Sequence, residues 1–279
     1  MQTEVDEITP VLKWAGGKRA LLPSLLPRVP RTLRTYAEPF AGGAALFFAL
    51  ASEVLAGERA VKSFVLCDAN PELANLYRVL RSNVDALIAE LQQGDYANTP
   101  ERFAAIRAAR PTHPVERAAR FKYLNATCFN GLHRVNKKGE FNVPFGKLAN
   151  PTICDPERLR AASRALALAT IHEGDFTEVT SLLGRGDMAY CDPPYVPTSA
   201  TANFTGYAGE FGPEGPAPPR GRDARPRRAR LQGARVEQRH ACDPIALRRL
   251  RGRARDGAPV DRVHGGPGGG GGVAGERVT

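Results

Sequence analysis

Thr35-Tyr36-Ala37-Glu38-Pro39-Phe40-Ala41-Gly42-Gly43-Ala44-Ala45-Leu46-Phe47-Phe48-Ala49-Leu50 reads as the end of a strand, a glycine turn and an apolar helix. Small residues at such a turn let a ligand approach the backbone, as in nucleotide-binding folds, although the Gly-x-Gly-x-x-Gly spacing is missing. Downstream, Ser63-Phe64-Val65-Leu66-Cys67 reads as a second strand that ends in Asp68, and Ala69-Asn70-Pro71-Glu72 opens another helix. An acidic residue at that strand end is where these folds hold ribose hydroxyls; capping the next helix is an equal use of Asp68. Further on, Met188-Ala189-Tyr190-Cys191 is a short apolar run consistent with a buried strand. The alternation predicts an α/β fold with its ligand at the carboxyl edge of the sheet.

The third strand ends in Asp192-Pro193-Pro194-Tyr195. The prolines cannot continue a ladder, so a carboxylate, two amide carbonyls and an aromatic ring face outward at the strand end. These residue types suit chemistry on an exocyclic amine of a base. Its lone pair is delocalised into the ring, and two acceptors on its N–H groups, the Asp192 carboxylate and the Pro193 carbonyl, would draw the nitrogen toward tetrahedral geometry. A base inside a duplex is out of reach and must be turned out, and Tyr195 offers a ring to stack on, typically worth about 1–3 kcal/mol. A plain turn after a strand fits these four residues equally well.

Near the start, Val11-Leu12-Lys13-Trp14-Ala15-Gly16-Gly17-Lys18-Arg19 joins an aromatic ring, a glycine pair and cations. Backbone N–H groups and Lys18 could hold a carboxylate or phosphate there, but the spacing is not that of a phosphate loop. A capped turn with a solvated basic edge is the simpler use of these residues.

In this order, Lys-Trp-Ala-Gly-Gly-Lys, Glu-Pro-Phe-Ala-Gly-Gly, Asp-Ala-Asn and Asp-Pro-Pro-Tyr closely resemble the Dam-type, D12-class DNA adenine N6-methyltransferases. The resemblance continues through Phe121-Lys122-Tyr123-Leu124-Asn125, Phe129-Asn130-Gly131-Leu132-His133-Arg134, the block from Gly139 to Lys147 and Ser199-Ala200-Thr201-Ala202-Asn203-Phe204, and covers roughly residues 10–212. It implies a class I S-adenosylmethionine-dependent methyltransferase fold, a Rossmann-like sheet with an inserted helical target-recognition domain. It implies S-adenosylmethionine as cofactor, double-stranded DNA as partner and N6 of adenine as acceptor. By position, Trp14, Lys18, Asp68 and Asp192 match cofactor-contacting residues, with Glu38, Phe40 and Gly42 on the methionine side and Asp175 beside the cofactor's adenine ring. Asp192, Pro193, Pro194 and Tyr195 match the catalytic tetrapeptide. Methylation of cytosine N4 or of a protein glutamine can use a related motif, but Asp192 and the surrounding blocks argue against both.

The expected organisation is an amino-terminal part of the catalytic domain over residues 1–74, the recognition insert over 75–150, the continued catalytic domain over 151–212 and a tail over 213–279. Within the insert, Arg78-Val79-Leu80 and Ala86-Leu87-Ile88-Ala89-Glu90-Leu91 keep helical spacing, and residues 130–147 read as a basic hairpin. Asn130, Arg134, Asn136, Lys137 and Lys138 are its candidate DNA contacts, suited to phosphates and base edges. Any exposed hairpin carries such charges, and the resemblance is what favours DNA.

The formal net charge of +10 looks like a nucleic-acid footprint. Residues 216–279 hold 15 basic and 6 acidic residues, which leaves 24 and 23 in residues 1–215, so the tail carries nearly all of it. That tail has no Lys, Phe, Tyr, Trp, Met or Asn and ends in a glycine run, a composition that predicts disorder. The resembled family places its last strands there, with a Ser-Asn-x-Asp-Thr type motif. Written as GAG CAA CGA CAC GCC and read one base later, Glu237-Gln238-Arg239-His240-Ala241 spells Ser-Asn-Asp-Thr-Pro. A frameshift near residues 212–217 is therefore expected, with the carboxyl-terminal strands missing and, as the alternative to a working enzyme, a remnant that binds DNA or cofactor without turnover.

No run approaches transmembrane length and the amino terminus lacks the pattern of a signal peptide, so a cytoplasmic monomer with no membrane partner is expected. Cys67, Cys128, Cys154, Cys191 and Cys242 lack zinc-type spacing, and no metal is expected.

Overall fold

The computed structural model describes residues 7–193 and the strand Ala246–Arg249. Pro194, Tyr195, the block Ser199 to Phe204 and Cys242 lie outside the described residues.

The chain enters through a short helix α1 (Leu22–Leu25), then strand β1 (Thr32–Glu38), helix α2 (Ala45–Leu55), strand β2 (Ala60–Asp68) and helix α3 (Pro71–Ser82). Three helices of the insert follow: α4 (Val84–Gln93), α5 (Pro100–Ala108) and α6 (Pro114–Thr127). After an irregular stretch come α7 (Pro156–Leu166), β3 (Ala169–Glu173), α8 (Phe176–Leu182), β4 (Met188–Cys191) and β5 (Ala246–Arg249).

Several helix starts are written in the sequence as a capping side chain before a proline. The Asn70 carboxamide oxygen accepts from the N–H groups of Glu72 and Leu73, Thr99 caps α5 and Asp155 caps α7. In each case Pro at the first helical position gives up a hydrogen bond that had no partner there.

The sheet order is β3-β2-β1-β4-β5. The first four strands are parallel, with β1 paired to β2 along Thr32↔Ala60 to Glu38↔Leu66 and to β4 through Tyr36↔Met188. From β1 the chain steps outward to β2 and β3, then returns to β4 on the other side. That reversal makes a crevice at the carboxyl ends of β1 and β4, the place where open α/β sheets bind ligands.

One core cluster runs from Ile8 through the α2 residues Leu46, Phe47, Phe48 and Leu50 to Leu73, Leu80, Phe121, Leu159 and Met188. Both faces of α2 are buried, as its apolar run requires. The insert adds a second cluster in which Phe103, Ile106, Tyr123 and Leu124 pack with Phe141 and Val143. The expected hairpin is held by two antiparallel bridges, Cys128↔Phe145 and Val135↔Phe141, rather than by continuous strands.

Within the tail, expected to be largely disordered, the described residues Ala246–Arg249 form β5 antiparallel to β4, from Met188↔Arg249 to Cys191↔Ala246. The ladder is borne by the backbone, so an arginine-rich composition does not forbid it, and the outer edge of β4 needs a partner for its N–H and C=O groups.

Candidate active site

The crevice is built around the turn that leaves β1. Gly42 sits at φ +47°, a left-handed conformation, and its N–H donates to Asp68 Oδ2 at 2.9 Å. The Tyr77 hydroxyl donates to the Gly42 carbonyl at 2.6 Å. Asp68, at the end of β2, also accepts from the Asn70 N–H at 2.9 Å. Burial raises the Asp68 pKa, and these two backbone donors oppose the rise. Asp68 thus ties the glycine turn to the start of α3 at the carboxyl end of β2, while the helix cap expected of it is made by Asn70 two residues on.

Trp14 covers the glycine turn. A methyl group on Gly42 would come within 2.8 Å of Trp14 Nε1, and one on Gly43 within 3.1 Å of Trp14 Cβ. Glycine is required at these positions for close approach of the indole, a reason the ligand-approach argument missed.

Lys18 Nζ and Asp192 Oδ2 form an ion pair at 2.6 Å, with side chains 12% and 25% exposed. The amino-terminal cation is thereby brought to the carboxylate after β4, although 174 positions of sequence separate them. Phe40 and Phe176 pair at 5.0 Å between ring centroids, a second apolar wall near the turn. Asp175 is exposed at the end of β3, where its side chain caps α8 through the Thr177 N–H at 2.8 Å. The Gly174 N–H donates to the Asp68 carbonyl, which keeps Asp175 at the same sheet edge.

Glu38, expected on the methionine-side wall, is also a bracing residue. It is only 2% exposed, and its Oε1 accepts from the Tyr36 hydroxyl and the Phe47 N–H, both at 2.8 Å. Tyr36 and Glu38 are two apart in β1 and share a face, and that face is turned into the core. Glu38 therefore braces β1 against α2. Burial lifts its pKa to about 8, against the two hydrogen bonds, and the nearby Asp192 charge adds to the rise.

In the hairpin the structure separates two kinds of residue. Asn136 Oδ1 accepts from the N–H groups of Lys138 and Glu140, and its Nδ2 donates to Glu140 Oε2. Arg134 Nε donates to Asn142 Oδ1 at 2.7 Å. These two candidate DNA contacts also shape the turn. Lys137 and Lys138 are exposed at its tip, and Asn130 is exposed at its foot with φ +53°.

Four residues were missed by the sequence reading. Phe129, 50% exposed, stands beside Asn130. Asn125 on α6 accepts from the Lys13 N–H and donates to the Lys13 and Gly131 carbonyls, tying the segment before Trp14 to the insert. Tyr77 and His133 complete the surround of the glycine turn. Only Phe129 carried a readable signal, an aromatic next to Asn-Gly; the others depend on contacts distant in sequence.

A doubly wound sheet with a ligand crevice at its reversal point, and a helical insert beside it, defines a nucleotide-handling α/β enzyme. The chain belongs to the D12 class N6 adenine-specific DNA methyltransferases, whose family model matches residues 14–218. It is 38% identical over 218 residues to a type II methyltransferase of Lactococcus lactis subsp. cremoris, which covers 75% of this chain and 74% of the relative. It is 40% identical over 210 residues to the DNA adenine methylase of Haemophilus influenzae, covering 73% and 70% respectively. A type II methyltransferase of Methanocaldococcus jannaschii is 37% identical over 218 residues, covering 72% and 74%.

Proposed function

We propose that the chain transfers a methyl group from S-adenosylmethionine to N6 of adenine in double-stranded DNA, on a base rotated out of the helix into the crevice between β1 and β4. The observation that carries this reading is the Lys18–Asp192 ion pair after β4, the neighbour of β1, whose own carboxyl end leads into the Gly42–Asp68 turn at the reversal point of the sheet.

The residues present fit the cofactor. Lys18 and Asp192 offer opposite charges to the carboxylate and ammonium of a methionine moiety. Asp68 faces the ribose position, and Phe40, placed on the methionine side, pairs with Phe176 into an apolar wall next to Asp175, the residue placed beside the cofactor's adenine. When bound, S-adenosylmethionine supplies an electrophilic methyl group. The chain's own residues prepare the acceptor. Asp192 and the Pro193 carbonyl accept the two N–H hydrogens of the target amine, which frees its lone pair from the ring and aims it. After transfer the nitrogen carries one proton too many, and these same acceptors lead it off to water. Pro194 and Tyr195 are assigned to the same tetrapeptide, with Tyr195 stacking on the flipped base.

Lys137 and Lys138 engage phosphates, and the exposed Phe129 ring next to Asn130 offers a stacking face where the base has left the helix. Arg134 and Asn136 serve by holding the turn in shape. Among the described residues no helix is long and apolar enough to cross a membrane.

Incubation with duplex DNA and methyl-labelled S-adenosylmethionine, followed by nucleoside analysis, tests the proposal. N6-methyladenine is expected; N4-methylcytosine, or binding without product, refutes it.

A further inference from the structure

His133 belongs by sequence to the recognition hairpin and by position to the wall of the cofactor crevice. Its ring stacks on Trp14, with 5.8 Å between centroids and 15° between planes, and is flanked by Phe121 and Phe141. On its other side Trp14 lies against Gly42 and Gly43. A second connection runs through Asn70, whose Nδ2 lies 3.3 Å from His133 Nδ1.

The direction of that hydrogen bond follows from the helix cap. Asn70 Oδ1 already accepts from the N–H groups of Glu72 and Leu73, so the amide nitrogen is the end turned to His133 and must donate. His133 Nδ1 is then the acceptor, and its ring proton resides on Nε2. Burial, with Arg120 nearby, lowers the His133 pKa to about 4, in keeping with a neutral ring. Asn70 in turn donates its backbone N–H to Asp68 Oδ1, while Asp68 Oδ2 holds Gly42. Two contiguous routes, one of rings and one of hydrogen bonds, join His133 to the same glycine turn.

We propose that His133 is a positioning residue that couples engagement of DNA by the hairpin to the affinity of the Gly42–Asp68 crevice for cofactor. The idea rests on the function proposed above. Its consequence is reciprocal: whatever factor DNA adds to cofactor affinity, cofactor adds to DNA affinity.

The test measures the dissociation constant of S-adenosylhomocysteine, which cannot react, with and without a duplex that the wild-type protein methylates. For the wild type, DNA is expected to tighten binding by about 5-fold or more, within the usual span of coupling between sites. In His133→Ala the ratio is expected to fall to about one. A residue that only packs would weaken binding equally in both conditions and leave the ratio intact; that result overturns the proposal, as does a wild-type ratio of one. His133→Phe keeps the stack and removes the acceptor for Asn70, so it carries the same test if the alanine variant does not fold, with a ratio lowered about twofold or more. A wild-type protein that binds neither S-adenosylhomocysteine nor DNA would instead overturn the function proposed above.

Discussion

Replacing Glu38 with glutamine should make the protein more stable at neutral and alkaline pH, and by an amount that grows with pH. In the fold the carboxyl is buried between β1 and α2 and titrates near 8 instead of 4.5. Its folded pKa is raised, so the native state binds more protons than the unfolded chain between these values, and stability falls as pH rises through that window. At about 1.4 kcal/mol per pH unit, about 3 kcal/mol is lost between pH 4.5 and 7, and about 5 kcal/mol by pH 9. In Glu38→Gln the side-chain amide oxygen would still accept from the Tyr36 hydroxyl and the Phe47 N–H, while nothing there would titrate. Urea denaturation of both proteins at pH 5, 6, 7 and 8 should therefore give curves that diverge steadily, with the variant above. Parallel pH profiles would refute the reasoning, since they would mean that Glu38 ionises as readily in the fold as in the unfolded chain.

Asp192→Ala should lower methyl transfer by about 100-fold or more while leaving duplex binding within about threefold, because it removes the side-chain acceptor aimed at the amine and not a phosphate contact; an equal loss of both would show that Asp192 acts in binding. Gly42→Ala places a methyl against Trp14 at a left-handed backbone position, and should cost about 2–3 kcal/mol of folding stability in chemical denaturation along with cofactor affinity. Its stability matching wild type would mean that Trp14 moves aside freely. Replacing Lys137 and Lys138 together by alanine should flatten the log–log dependence of DNA affinity on salt by about 2, the expected loss of two phosphate contacts. An unchanged slope would place the hairpin tip off the DNA. Resequencing the gene across residues 205–220 should reveal a one-base insertion or deletion between residues 212 and 217, just before the family match ends at 218; a clean frame with no methyltransferase-like continuation in the alternate one removes that proposal.

The skeleton of the site was legible because it rests on local rules. The glycine turn after β1, the acidic end of β2 and the prolines after β4 each announce themselves within a few residues. The cap of α3 was read two residues early, at Asp68 instead of Asn70, and the capping of α8 by Asp175 went unread. What lay beyond reading was the direction and occupancy of side chains. That Glu38 is buried and bonded to the Tyr36 hydroxyl and the Phe47 N–H depends on how α2 packs on β1. Asn136 and Arg134, read as DNA contacts, also shape the turn through Glu140 and Asn142 across it, which the sequence did not announce. His133 became visible only when folding set residue 133 against residue 14. The strand Ala246–Arg249 escaped notice because a ladder needs backbone and an open edge, and composition records neither.

The bonds between Asn125 and the Lys13–Gly131 pair have a consequence for engineering. The strip that carries Trp14 and Lys18 is stitched into α6 of the insert, and α3 itself crosses the boundary at residue 74. The segment 75–150 is thus no cassette. A chimera that exchanged residues 75–150 with those of a relative would import a foreign partner for residues 8–14, and the graft would misalign the donor's binding surface and the host's chemistry together. Altered target preference in this scaffold should come instead from changes confined to the hairpin tip, or from transplants that carry the amino-terminal strip with the insert.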